Sequence, residues 1–107
     1  MIYEHRIYDV AYGRMEDLHN RFRTHTLGFF AKHDIKPVAF FTTVVGTLNQ
    51  LHFILEYRNM SHRETAWGNL TADPDWKQVL KESNANGILI EKMENRFYAP
   101  TDYSPLK

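Results

Sequence analysis

A chain of 107 residues is one domain's worth, and at that size folding buries roughly 65% of the surface the unfolded chain exposes. Thirteen basic and thirteen acidic residues give a formal charge of zero, so no basic stripe recruits nucleic acid and no acidic tail recruits cations. The absence of cysteine excludes disulfides, thiolate metal sites and cysteine nucleophiles.

Ile2 to Val10 mixes Ile, Tyr and Val with Glu4, His5, Arg6 and Asp9, and Gly13 closes the stretch, which predicts a first strand. From Arg14 to His33 the apolar positions Met15, Leu18, Phe22 and Phe29 fall at helical spacing with His25 on the same stripe. That predicts an amphipathic helix of about five turns, ended by Asp34 and Pro37. A second strand runs from about Val38 to Val45 and a third from Gln50 to Tyr57. Both are rich in β-branched and aromatic residues, and a short turn with Gly46 and Asn49 makes them a hairpin. In the third strand Leu51, Phe53, Leu55 and Tyr57 share one face while His52, Ile54 and Glu56 share the other.

Ser61 followed by Glu64 reads as a capping box that starts a second helix carrying Ala66, Trp67 and Leu70. Asp73-Pro74 marks a fresh start, with Asp as cap and Pro at the first helical position. Trp76, Val79 and Leu80 form the inner stripe of this short helix, and Asn84, Asn86 and Gly87 end it. A fourth strand runs from Ile88 to about Tyr98, followed by a tail with Pro100 and Pro105. No run approaches the ~20 apolar residues that span a bilayer. A strand beginning at Ile2 leaves no room for a signal or transit segment, so a cytoplasmic protein is the default expectation.

The order β-α-β-β-α-β predicts an α+β, ferredoxin-like sandwich over residues 1–107, with a four-stranded antiparallel sheet and helices on one face. The second face, half apolar, would lie bare in water. A second copy packed sheet to sheet would cover it, giving a homodimeric α+β barrel.

Tyr3-Glu4-x-Arg6-x-Tyr8, Phe41-Thr42-Thr43 leading to Gly46-x-Leu48-Asn49-Gln50, Tyr57, Ala72-Asp73-Pro74-x-Trp76 and Tyr103-Ser104-Pro105-Leu106 together resemble the NIPSNAP family. The resemblance implies a dimeric α+β barrel. NIPSNAP proteins are described mostly as interaction and trafficking factors. The wider barrel group includes cofactor-independent monooxygenases and haem-degrading proteins, a kinship of fold alone. The chain departs from the family pattern at Val44, where an acid is usual, and at Phe53 and Leu55, where a His-x-Trp pair is usual. His52, one residue away, lies on the opposite sheet face and is no substitute.

Arg6 and Tyr8 share one face of the first strand and could hold a carboxylate or enolate, with Arg supplying charge and Tyr a directional hydrogen bond. The alternative is a cross-strand ladder with Glu4 and Glu56. His25, on the inner stripe, could act as a general base, ligate a haem iron, or be a hydrogen-bonded core histidine. Phe22, Phe41 and Trp76 are candidates to line a small-molecule cavity, Asn49 a rim candidate and His52 a further polar one. Trp76 also suits a plain aromatic plug and Asn49 a plain turn. His19, His33 and His62 are expected in solvent. No metal-binding spacing and no glycine-rich phosphate cradle occurs, so neither metal nor cofactor is expected. Three functional classes follow: a small-molecule-binding homodimer acting without a cofactor, a protein-interaction scaffold that presents Tyr98 and Tyr103, and a haem-binding protein.

Overall fold

The computed structural model describes residues 1–107. In chain order it comprises β1 (Ile2–Val10), α1 (Met15–Arg21), a π-helical turn (Phe22–Thr26), α2 (Leu27–Lys32), β2 (Lys36–Thr42), β3 (Gln50–Tyr57), α3 (Met60–Ala72), α4 (Pro74–Ser83) and β4 (Ile90–Tyr98). The four strands form one antiparallel sheet in the order β2-β3-β1-β4. This is the ferredoxin-like α+β architecture expected from the order of elements.

Strand alternation divides the sheet into two unlike faces. Glu4 stands opposite Leu55, Arg6 opposite Phe53 and Tyr8 opposite Leu51, and all six side chains are buried under the helices. Phe53 and Leu55 are fully buried. Phe40 stacks on Phe53 with ring centroids 5.3 Å apart, and Phe22 meets Phe53 edge-on at 5.4 Å. Phe30, Leu18, Ala66, Leu70 and Trp76 close this core from the helix side. Such aromatic packing adds about 0.5–1.5 kcal/mol per pair beyond the area removed from water.

The first helical region departs from the expected single α-helix. Its middle widens into a π turn at Phe22–Thr26, which accommodates one extra residue and resets the phase of everything after it. The buried series is therefore Leu18, Phe22, Thr26 and Phe30, a repeat of four. The expected series ran Leu18, Phe22, His25 and Phe29. His25 is consequently exposed, which corrects the expectation that its ring faces the sheet. The threonines support the wide turn: Thr24 Oγ donates to the Asn20 carbonyl at 2.6 Å and Thr26 Oγ to the Arg21 carbonyl at 3.3 Å.

Three local expectations also differ. Strand β2 starts earlier and ends at Thr42, so the hairpin closes through residues 43–49 rather than a short turn. Val44 and Val45 stand in this loop, 91% and 93% exposed, where β-propensity finds no partner strand. The expected turn residue Asn49 does take a left-handed conformation, φ 57°. The cap of α3 is Asn59, whose side chain accepts from the His62 amide at 2.8 Å, in place of Ser61. Asp73 caps α4 through the Asp75 amide at 2.9 Å, with Pro74 in the first turn, as its sequence signature predicts.

Asp73 is further tied to Lys32 at 2.8 Å and to His33 Nε2 at 2.7 Å, pinning the end of α2 to the start of α4. The hydrogen bonds from Lys32 and His33 hold its carboxyl well below the usual carboxylate range. His33 is thus partly buried and bonded rather than solvated. The same holds for His62, whose Nδ1 accepts from the Arg58 amide and whose Nε2 meets the Asp34 carbonyl at 3.0 Å. No helix is long and apolar enough to cross a membrane.

Candidate functional site

Two groupings of side chains on the helix-covered face carry the chemistry. The first is centred on Glu4, which is fully buried. Its carboxylate accepts from Arg6 Nη1 at 2.8 Å, Arg63 Nη2 at 3.1 Å, Arg63 Nε at 3.3 Å, Asn95 Nδ2 at 2.9 Å and the Tyr57 hydroxyl at 3.3 Å. Burial alone would push the carboxyl up, but the bonds from Arg63 and Asn95 and the charge of Arg6 outweigh it and lower its pKa. Burial, with the adjacent Glu4 charge, raises the pKa of the Tyr57 phenol.

Arg6 is as fully engaged as the acid it faces. Nε donates to the Tyr8 hydroxyl at 3.1 Å, and the guanidinium plane lies 4.3 Å from the Trp67 ring centroid, a cation–π contact. Burial works against the guanidinium's charge, yet Tyr8 and Glu4 raise its pKa overall. Arg63 packs over the Phe97 ring at 5.2 Å. A carboxylate with this many donors is held ionised and in one position, which suits it to orienting Arg6 and Tyr8 rather than to taking up a proton. Glu56, the other acid proposed for an Arg6 ladder, lies on the opposite sheet face, where it pairs with Lys36 at 3.1 Å.

The second grouping is an apolar cleft of about 310 Å³ between the π turn and edge strand β2. Phe22, Leu27, Phe40 and Leu51 wall it, Phe41 and Thr42 border it along the edge strand, and His19 and Arg23 stand on its polar side. Tyr8 does not line the cleft; it meets Phe53 edge-on at 5.1 Å, and Phe53 in turn meets the lining residue Phe22.

The predicted site residues are therefore dispersed. Arg6 and Tyr8 are bonded to each other under the helices. Phe22 and Phe41 border the apolar cleft, although Phe41 projects to the opposite sheet face, beside His52 in register, and is 54% exposed. Trp76 is a buried plug 5.4 Å from the Phe29 ring. Asn49 sits in the hairpin loop, and His25 faces a separate groove between the π turn and α4. Sequence reasoning missed Arg63, Asn95, His19 and Arg23. Arg63 had a readable signal, since it shares the i, i+3, i+7 stripe of Ala66 and Leu70 that turns inward.

On the open sheet face a hydrogen-bonded chain links the two central strands, β1 and β3. His5 Nε2 lies 3.1 Å from His52 Nδ1, His52 Nε2 lies 3.0 Å from Gln50 Oε1, and Gln50 Nε2 donates to Asp9 Oδ1 at 2.8 Å. The Gln50 carbonyl oxygen can only accept, so His52 Nε2 is the donor to it; when both rings are neutral, His52 Nδ1 accepts from His5 Nε2. Burial, together with the nearby His52 and Arg96, lowers the His5 pKa from 6.5. No group of three or more His, Cys, Asp or Glu side chains is placed to hold a metal ion.

An antiparallel βαββαβ sheet with both helical layers on one side defines a ferredoxin-like α+β protein. The NIPSNAP family model matches residues 3–105, and the chain belongs to that family. Among solved structures, a NIPSNAP family protein from Agrobacterium tumefaciens is 30% identical over 99% of this chain and 98% of its own, with a TM-score of 0.89. An uncharacterized NIPSNAP domain protein from Burkholderia xenovorans is 26% identical over 98% of this chain and 99% of its own, TM-score 0.86. An antibiotic biosynthesis monooxygenase, 11% identical over 94% of this chain and 99% of its own at a TM-score of 0.61, shares the fold alone. No curated protein sequence matches the chain.

Proposed function

We propose that this NIPSNAP protein is a homodimer that binds a small, mostly apolar or aromatic compound in the cleft between the π turn and β2. The observation that carries the reading is the cleft itself: a concave space of about 310 Å³ with aromatic and aliphatic walls and two polar side chains, His19 and Arg23, on one side. That is the composition of a small-molecule pocket, in which apolar area supplies affinity and a few polar groups supply orientation. The Glu4–Arg6–Tyr8 network lies outside the cleft, on the β1 side of Phe53, and a transformation without a cofactor would use His19 or Arg23 at the mouth.

Dimerisation rests on the open face. Ile7 and Ile54 stand on its central strands beside the His5–His52 pair, and Ala39 and Phe41 on the edge strand β2, with Asp9, Glu56 and Glu94 balanced by Lys36, Lys92 and Arg96. Acids and bases in equal number let two copies of this face meet under a two-fold axis without net like-charge repulsion.

Native mass spectrometry of protein purified without added ligand, followed by saturation-transfer NMR with 2-naphthol, tests both parts. Dimers and a saturable 2-naphthol signal are expected. Leu27→Trp fills the cleft from an exposed position and is expected to weaken binding at least tenfold while leaving the fold intact. A monomer would remove the dimer reading, and a wild-type protein deaf to millimolar 2-naphthol would remove the pocket.

A further inference from the structure

Arg21 is the outlier among the buried cations of this protein. It is 7% exposed, as buried as Arg6, yet no carboxylate lies within ion-pair distance of it. Arg6 and Arg63 both bond the Glu4 carboxylate. The only hydrogen bond of the Arg21 side chain runs from Nη1 to Ser83 Oγ at 3.3 Å. That hydroxyl gives its own proton to the Val79 carbonyl at 2.6 Å. Arg21 Nε, shut away from solvent, has no hydrogen-bond partner. Nη2 likewise donates to no protein group. Nη2, unlike Nε, is not sealed, and it is the donor that a carboxylate oxygen in the groove can reach with a charge-assisted hydrogen bond.

The surroundings of this guanidinium are built for a polar guest. Arg21 lines a groove of about 370 Å³ between α1, the π turn and α4, separate from the apolar cleft on the other side of that turn. His25 and Asn20 stand along the groove with it. The two acids there are already engaged, Asp17 with Arg14 Nε at 2.7 Å and Glu82 with Gln78 Nε2 at 2.9 Å. Arg14, which also lines the groove, is paired with Asp17 and donates through Nη1 to the Asn86 and Gly87 carbonyls, each at 3.2 Å, which leaves Arg21 as the groove's cation without an acid. An uncompensated buried charge is strongly unfavourable; here burial depresses the Arg21 pKa, with only the neighbouring Tyr8 acting against it. The wide π turn begins at the residue after Arg21, a position such turns often take at ligand sites.

We infer that this groove is a second binding site, which takes the carboxylate of a small polar molecule on the Arg21 guanidinium. A singly charged carboxylate fits better than a phosphate, because a dianion would also face Asp17 and Glu82 with only one free guanidinium to meet it. His25 and Asn20 supply hydrogen bonds to the polar remainder of the ligand.

The Arg21 Nε–H resonance in proton–nitrogen NMR spectra reads the site directly. Wild-type protein is titrated with sodium glycolate, sodium phosphate and sodium chloride at matched ionic strength and neutral pH. Glycolate is expected to shift that resonance saturably, and chloride to leave it unmoved. Arg21→Met, which keeps the apolar stem, is expected to weaken glycolate binding at least tenfold, read on the Ser83 and His25 amides. Equal responses to glycolate and chloride would show solvent or adventitious ions only and overturn the site. Tighter binding of phosphate than of glycolate would overturn the carboxylate assignment. The wild-type resonance decides the matter even if Arg21→Met fails to fold, and 2-naphthol binding in the apolar cleft stands or falls independently.

Discussion

The two faces of one sheet handle polar side chains in opposite ways. Under the helices, Glu4 is sealed from water and saturated by donors from β1, β3, β4 and α3. On the open face, His5, His52, Gln50 and Asp9 pass a single line of hydrogen bonds across the strands while remaining half-exposed. Convergent donors fix a charge and lock four elements together, whereas a linear chain that runs through two imidazoles can be rearranged by one added proton. The covered face is built for permanence and the open face for response.

The largest test of this contrast is Glu4→Leu, which leaves the buried Arg6 and the partly buried Arg63 without their shared acid. Urea denaturation is expected to show a loss of about 3–5 kcal/mol, the cost of breaking a buried ion pair from one side. A loss below about 1 kcal/mol would mean that the network is dispensable, and the contrast would collapse.

Next come two neighbours on opposite faces of β3. Leu55→Ala is expected to cost about 2–5 kcal/mol at any protein concentration, because it opens a cavity in the core. Ile54→Ala, on the open face, is expected to cost less in dilute solution and progressively more as protein concentration rises and the sheets pair. Equal, concentration-independent losses would count against the open face as a meeting surface.

A smaller effect should follow pH. The folded His5 pKa lies below its unfolded value of 6.5, so the unfolded chain binds the proton first. This contribution to stability is complete above about pH 6.5 and is lost as pH falls toward the folded pKa. The groups that face His5 are His52, Arg96, Tyr98 and, beyond them, Glu94 and Asp9. Thermal unfolding scans from pH 7.5 to 5 should show a drop that His5→Gln flattens, while Glu4, whose pKa is lowered, contributes none over that range. The smallest effect belongs to Val44→Ser in the hairpin loop, expected within about 0.5 kcal/mol of wild type.

The order of elements, the antiparallel sheet and the alternation of β3 were legible because period-two and helical patterns report burial directly. Asp73-Pro74 was legible because a cap is a local device. What escaped notice was non-local or phase-dependent. Glu4 is satisfied by residues as distant in sequence as Asn95, and no window of sequence contains that arrangement. His25 was misplaced because a regular helix was assumed through the π turn, and one extra residue rotates a helix by about 100°. Arg21 and Arg63 sat on the inward stripes of their helices, yet charge argued for solvent more loudly than spacing argued for the core.

The wide turn at Phe22–Thr26 also makes the first helical region tolerant of a change that helices ordinarily refuse. A single-residue deletion inside a regular helix turns every later side chain off its face, but a deletion here would tighten the turn to α geometry and leave Thr26 and Phe30 pointing inward. Evolution can therefore add or drop one residue at this spot without rebuilding the core, and homologous chains aligned across it should tolerate a gap between Phe22 and Thr26. The residue that comes and goes lies between the apolar cleft and the Arg21 groove, so length variation in this one turn could reshape either binding surface while the sheet beneath stays as it is.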